Sequence, residues 1–289
     1  MTILVDENTR VIVQGITGTQ GSIITKRMLK AGTRIVAGIT PGKGGQEVHG
    51  VPVYDLIEEA MKEHPEANAA ISFVPARFVM DATIEAINAG LSPIALMAER
   101  IPTFDIMKII SYAKHFGVNI IGPNTPGVYS PEKCLLGFHP ERFFRKGRVG
   151  IMARGGGISY EVSGCILSKG MGISTCVNIG GDRITGIMFD KVFRMFEKDD
   201  ETDKIVLIGE IGGILEEKAS LVIKNEITKH VVALIIGRAS PQGKRMGHAG
   251  AIIEMGMGSY ESKVKALSEA GAVIAKNAIE VAEIISNLS

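Results

Sequence analysis

The hydrophobic pattern of this chain is a repeated alternation of short apolar runs and amphipathic stretches. Apolar runs at 10–14, 34–38, 69–74, 93–97 and 119–122 are bounded by glycine or proline, as buried parallel strands are. Between them, helical spacing predicts helices at 22–31, 78–88 and 104–115. The alternation lapses over 127–147, where Pro131, Pro140 and a basic run from Arg142 to Lys146 suggest a connection. It then restarts, with strands at 148–153, 174–179, 204–209, 231–237 and 272–276 and helices at 158–169, 215–224 and 278–287. Strand–loop–helix repeats of this kind build parallel sheets covered by helices on both faces. The expected organisation is one α/β domain over 1–126, a connection over 127–147 and a second α/β domain over 148–289.

The polar and glycine-rich loops all follow strands. In an open α/β sheet that is the end where ligands bind. Gly15-Ile-Thr-Gly-Thr-Gln-Gly21 lies between the first strand and a helix, a layout that aims helix N–H groups at a phosphate. Its G-x-x-G-x-x-G spacing is not the G-x-G-x-x-G of dinucleotide folds. No acid ends the second strand to hold ribose hydroxyls, which argues against a nicotinamide oxidoreductase. Lys43 stands in the following glycine-rich loop instead. It suits a ligand with extra phosphate, and equally a solvated loop. Gly155-Gly156-Gly157 precedes a helix, a costly choice unless bare backbone is needed there, as at an anion site.

Composition narrows the function further. Glycine supplies 35 of 289 residues, about 12 % against an average near 7 %. Lysine and arginine number 32 and acids 31, so net charge is +1 and no global field favours nucleic acid or membrane surfaces. No apolar run approaches the roughly 20 residues of a bilayer span. The acidic start of the chain does not read as a signal peptide. Three scattered cysteines, Cys134, Cys165 and Cys176, show no metal spacing and suit a reducing cytoplasm.

The candidate for chemistry is His248, in Gly243-Lys-Arg-Met-Gly-His-Ala-Gly250. Small neighbours leave its imidazole open, and histidine can carry a group covalently near neutral pH. On spacing alone a structural histidine is the better reading. There is no Walker A motif: Gly237 to Lys244 has one residue too many, and Arg245 stands where Ser or Thr would hold magnesium. A phosphate-carrying histidine would therefore need a donor site on a partner chain.

Together these motifs identify a family. The chain resembles the α subunits of succinyl-CoA synthetases through Gly15–Gly21, Pro41-Gly-Lys-Gly-Gly45, Val74-Pro75-Ala76, Gly122-Pro-Asn-Thr-Pro-Gly127, Ile208-Gly-Glu-Ile-Gly-Gly213 and Gly243 to Ile253. The resemblance covers essentially the whole length. It implies a Rossmann-like CoA-binding domain followed by a flavodoxin-like ligase domain, both with parallel sheets. It implies an NDP-forming acid–CoA ligase of the tricarboxylic acid cycle, working with an ATP-grasp β subunit that binds ATP or GTP with Mg2+, as αβ or α2β2.

Residue by residue, Thr17, Gly18, Thr19, Gln20, Lys43, Phe73, Val74, Pro75, Met97, Ala98 and Glu99 match its coenzyme A site. His248 matches the phosphorylated histidine and Glu210 the carboxylate that orients it. Asn124, Gly155, Gly156, Gly157 and Tyr160 match substrate or phosphate positions. No metal site is expected on this chain. At the phosphate helix the family usually has Ser-Arg-Ser-Gly-Thr-Leu-Thr-Tyr-Glu. Here Ala153, Gly155 and Gly157 replace three hydroxyls, and Arg100 and Arg183 replace a usual glycine and proline. A paralogue acting on malate, citrate or sulfoacetate, or a non-catalytic CoA-binding regulator, are the alternatives these departures raise.

Overall fold

The computed structural model describes residues 3–241, 246–253 and 258–288. The chain divides into two units, Leu4–His139 with Ile184–Gly186, and Met1–Ile3 with Pro140–Arg183 and Ile187–Ser289.

In the first unit the apolar runs become strands β1 (Arg10–Gln14), β2 (Arg34–Ile39), a two-residue β3 (Glu47–Val48), β4 (Val51–Tyr54), β5 (Ala69–Ser72), β6 (Ile94–Leu96) and β7 (Ile120–Ile121). Helices α1 (Thr19–Lys30), α2 (Ile57–Glu63), α3 (Val79–Asn88) and α4 (Thr103–His115) connect them. The order is β3-β4-β2-β1-β5-β6-β7, parallel except for the β3 edge. Counting parallel strands alone, this is 3-2-1-4-5-6, the Rossmann order, with its switch point between β1 and β5. Val11, Ile12, Val13, Ala69, Ala70 and Ile71 have no exposed surface, because helices cover both faces of the sheet.

Helix α1 starts at Thr19, three residues before the start expected at 22. Thr19 and Gln20 are exposed, so its first turn left no hydrophobic signal. Residues 127–147, expected as a connection, carry an antiparallel hairpin of β8 (Gly127–Ser130) and β9 (Cys134–Gly137). Every residue of the two strands is buried. Continuous burial removes the alternation by which a half-exposed hairpin is recognised.

The second unit holds β10 (Lys146–Ala153), α5 (Gly156–Ser168), β11 (Ile173–Asn178), α6 (Phe189–Glu197), β12 (Lys204–Glu210), α7 (Leu215–Glu226), β13 (His230–Ile236), α8 (Tyr260–Glu269), β14 (Val273–Ala275) and α9 (Ala278–Asn287). Five parallel strands run β14-β13-β12-β10-β11. Numbered within the unit this is 2-1-3-4-5, the flavodoxin order, with the switch point between β10 and β12. Helix α6 buries Phe189, Val192, Phe193 and Phe196, a clear i, i+3, i+4, i+7 stripe. Helix α5 begins at Gly156 rather than 158, so two of the three glycines lie inside its first turn.

Among the described residues no helix is long and apolar enough to cross a membrane.

Candidate functional site

Each unit presents a site at the carboxyl ends of its central strands. In the first unit a cavity of about 1390 Å³ opens at the β1/β5 switch point. Gly15 turns the chain at φ +75°, and the amide of Gly18 donates to its carbonyl at 3.1 Å. Gly21 is buried so tightly that a Cβ there would overlap the Gly15 carbonyl oxygen. No side chain caps α1, so its first amides are left for a ligand. The lining takes in Thr17, Gly18, Thr19 and Gln20 from this turn, then Phe73–Pro75, Met97–Glu99 and Asn124 from later strand ends. Lys43 is exposed on the turn beyond Pro41 and is not part of the lining; its amide donates to Asp55 Oδ1 at 2.9 Å. Arg100 is exposed and pairs with Glu99 at 3.5 Å.

In the second unit Glu210 is the last residue of β12 and His248 sits in a turn where the Ala251 amide donates to the His248 carbonyl at 3.1 Å. His248 Nδ1 donates to Glu210 Oε2 at 2.7 Å. A carboxylate can only accept, so the Nδ1 proton is fixed and Nε2 keeps its lone pair when the ring is neutral. The hydrogen bond to Glu210 raises the His248 pKa above the ordinary histidine value; partial burial and Arg154 oppose it, and the charges of Glu210 and Asp182 assist it.

The ring lies against bare backbone on two sides. A Cβ on Gly181 would stand 2.6 Å from Cδ2 and 2.7 Å from Cγ, and one on Gly155 would overlap Cε1 and come 2.9 Å from Nε2. Gly155 is the N-cap of α5, which has no side-chain cap and no acid in its first turn. The reactive edge of the imidazole therefore sits at an uncapped helix N-terminus, where amides and the helix dipole favour negative charge. Beneath it, buried Asn178 donates from Nδ2 to the Gly155 carbonyl at 2.9 Å and to Ser159 Oγ at 3.2 Å. The amide of Gly250 donates to the Gly181 carbonyl at 3.2 Å, tying the histidine turn to the glycine loop after β11.

The structure thus brings His248, Glu210 and Gly155–Gly157 together. Asn124 takes its place in the first unit, lining the cavity. Tyr160 is on α5, edge-on to Phe144 at 6.1 Å, with its hydroxyl pKa raised by burial. Gly243, Lys244 and Arg245, which precede the histidine in the sequence motif, lie outside the described residues. Two site residues escaped the sequence reading. Arg154 is 5 % exposed, stands 3.4 Å from Glu210 Oε1 through Nε, and donates from Nη2 to the Asp182 carbonyl at 3.0 Å. The sequence pattern marks Asn178 only as part of the strand at 174–179. A cation just before a glycine triple, and an asparagine ending an apolar strand, were the available signals. Arg183 donates to the Ala249 carbonyl at 3.4 Å, beside the histidine.

Comparison with known proteins agrees with this division. The model of the CoA binding domain matches residues 6–100, and that of the CoA-ligase domain matches residues 152–273. The chain is 52 % identical over 288 residues to succinate–CoA ligase (ADP-forming) subunit alpha 2 of Archaeoglobus fulgidus, covering 100 % of both chains. It is 52 % identical over 272 residues to the α subunit of that ligase from Methanothermobacter thermautotrophicus, covering 94 % of this chain and 92 % of that one. Among solved structures, ATP citrate lyase of Methanothrix soehngenii in complex with citrate and coenzyme A superposes with a TM-score of 0.88 at 25 % identity. The match covers 98 % of this chain and 51 % of that longer one, so the chain spans about half of it. A histidine site and a ligand cavity, each at a switch point, thus coincide with two domain models and full-length identity above half: the chain belongs to the family of succinate–CoA ligase α subunits.

Proposed function

We propose that this chain is the α subunit of an NDP-forming succinate–CoA ligase in which His248 carries the phosphoryl group. The observation that carries this is the imidazole itself, bonded through Nδ1 to Glu210 at 2.7 Å while its Nε2 edge meets the uncapped start of α5. With Nδ1–H held by a carboxylate, Nε2 is the nucleophile. It attacks the γ-phosphorus of a nucleoside triphosphate and the nucleoside diphosphate leaves. The phosphoryl oxygens on Nε2 fall to the free amides of α5, which replace the hydroxyls absent at 153, 155 and 157. The succinate carboxylate then takes the phosphoryl group from Nε2, giving an acyl phosphate and free His248. The CoA thiol attacks the acyl carbon, phosphate leaves, and succinyl-CoA results.

Coenzyme A is assigned to the cavity of the first unit, the expected CoA-binding domain over 1–126, with 148–289 as the ligase domain. Its phosphates would meet the first amides of α1, those of Thr19 and Gln20, with Lys43 reaching in from the neighbouring turn. Succinate is favoured over malate, citrate or sulfoacetate because the curated relatives are named for it. The triphosphate, with Mg2+ to neutralise its oxygens, is assigned to an ATP-grasp β subunit, in an αβ or α2β2 assembly in the cytoplasm.

The test is incubation of the chain and its β partner with γ-labelled ATP. Acid-labile, base-stable label on the α chain is expected, lost in His248→Asn and discharged by succinate with CoA. No label on the wild-type chain would sink the reading.

A further inference from the structure

The two acids opening α7 have the sequence appearance of residues complementing a helix dipole. The structure gives them different work. Glu216 is 0 % exposed, and so is Lys263 of α8, whose ammonium pairs with Glu216 Oε2. Lys263 Nζ also stands 3.0 Å from Glu217 Oε2 and donates to the Gly213 carbonyl at 3.1 Å. An ammonium has three donors, and here three acceptors meet it.

The remaining oxygen of Glu216 accepts the main-chain amide of Glu210 at 3.2 Å. Gly209 makes that approach possible, since a Cβ there would lie 2.6 Å from Glu216 Cγ. The pair therefore grips the loop 210–213 at both ends, by the amide of Glu210 and the carbonyl of Gly213. Between them Gly212, at φ +92°, lies under the histidine segment. A Cβ there would overlap the Gly250 carbonyl oxygen and stand 2.7 Å from the Ile252 amide nitrogen. The loop that carries Glu210 is thus also the floor beneath the turn that carries His248.

Stability alone does not explain an ion pair at this depth. Two charges lose their hydration there, and apolar residues of similar volume often serve as well or better. What an ion pair adds is directional hold. We propose that Glu216, held by Lys263, is a positioning residue that sets the Glu210 carboxylate on His248 Nδ1. The catalytic consequence rests on the phosphohistidine reading above; the geometric one does not.

Two double variants of the full chain separate positioning from packing. Glu216→Gln with Lys263→Met removes both charges but keeps an oxygen for the Glu210 amide. Glu216→Leu with Lys263→Met removes that oxygen too and leaves the interior apolar, the nearest remaining charge being Glu217, which is 20 % exposed. The first readout is the pH titration of His248 Cε1 by NMR. Glu210, Arg154 and Asp182 are the charged groups facing the ring. The glutamine variant, which keeps the oxygen but not the ion pair, should titrate between wild type and the leucine variant; the leucine variant should fall back toward the ordinary histidine value. The second readout is phosphorylation in complex with the β partner, where the leucine variant should lose at least tenfold in rate with the KM for ATP unchanged.

A leucine variant that titrates and reacts as wild type overturns the proposal. Equal loss in both variants also overturns it, since that would be general loosening. If the leucine variant does not fold, hydrogen exchange of the wild-type Glu210 amide decides: slow exchange is expected, and exchange at the unprotected rate refutes the hold. A wild-type chain that takes no label, yet shows the expected His248 titrations, refutes the phosphohistidine reading and leaves the positioning intact.

Discussion

Replacing Gly181 by alanine tests the site with a single methyl group. The backbone there is not in the left-handed region, so alanine brings no strain of its own. Its Cβ would lie 2.6, 2.7 and 3.0 Å from Cδ2, Cγ and Nε2 of His248. Carbon–carbon contacts are comfortable at about 3.5–4.0 Å, so the ring must move by about 1 Å. Gly155 lies against the other exposed edge, so the ring cannot simply slide toward α5. A shift of that size takes the 2.7 Å bond to Glu210 past the limit of a hydrogen bond. A hydrogen bond to a charged group contributes about 1.5–3 kcal/mol, which corresponds to about 10- to 150-fold in phosphorylation rate at 1.4 kcal/mol per factor of ten. Single-turnover transfer of label from ATP, with the β partner in excess, measures this directly. Gly164→Ala, further along the same helix and away from the histidine, is the control, because a Cβ there meets only the edge of the Phe143 ring at 3.4 Å. It should leave the rate unchanged and stabilise α5 by about 0.5–1 kcal/mol. Full activity in Gly181→Ala with His248 still titrating as in wild type would refute the geometry argued above.

Three further outcomes are expected. The folded-state pKa of His248 is raised by Glu210, so the pair's contribution to stability is complete below the ordinary histidine value of about 6.5 and is lost as pH rises through the higher folded value; urea midpoints measured from pH 5 to 9 should fall over that window in wild type and much less in Glu210→Gln. Asn178→Leu leaves the Gly155 carbonyl without its buried donor and should cost about 1–3 kcal/mol of unfolding free energy, with slower phosphorylation because the start of α5 loses its brace. Burial pushes the thiols of Cys134 and Cys176 up to about 12, whereas Cys165 is only partly buried; a thiol reagent on the native chain at pH 8 should therefore titrate one cysteine quickly, and three after denaturation.

Much of the architecture was legible in the order of residues. Parallel strands buried on both faces need continuous apolar runs, and those runs at 10–14, 69–74, 148–153 and 204–209 all became central strands. The glycine turns were legible too, since Gly15 and Gly21 serve contacts a few residues apart. Local pattern could not reveal the β8–β9 hairpin, where burial of every residue erases alternation. Helix α1 likewise began in exposed residues that no hydrophobic stripe marks. The pairing of His248 with Glu210, 38 residues apart, came from resemblance to a family and not from spacing. Only the folded sheet showed why it holds: β12 delivers Glu210 at the switch point, where α5 begins after β10.

The sequence alone determined the central strands, most of the helices that follow them and where backbone must be bare, because those are properties of neighbours along the chain. Tertiary structure decided that Gly155 and Gly181 are bare for the sake of one imidazole, and that Glu216 looks inward to Lys263 and the Glu210 amide. Those facts depend on distances across the fold, between residues as many as 93 positions apart, and no local pattern encodes a distance of that kind.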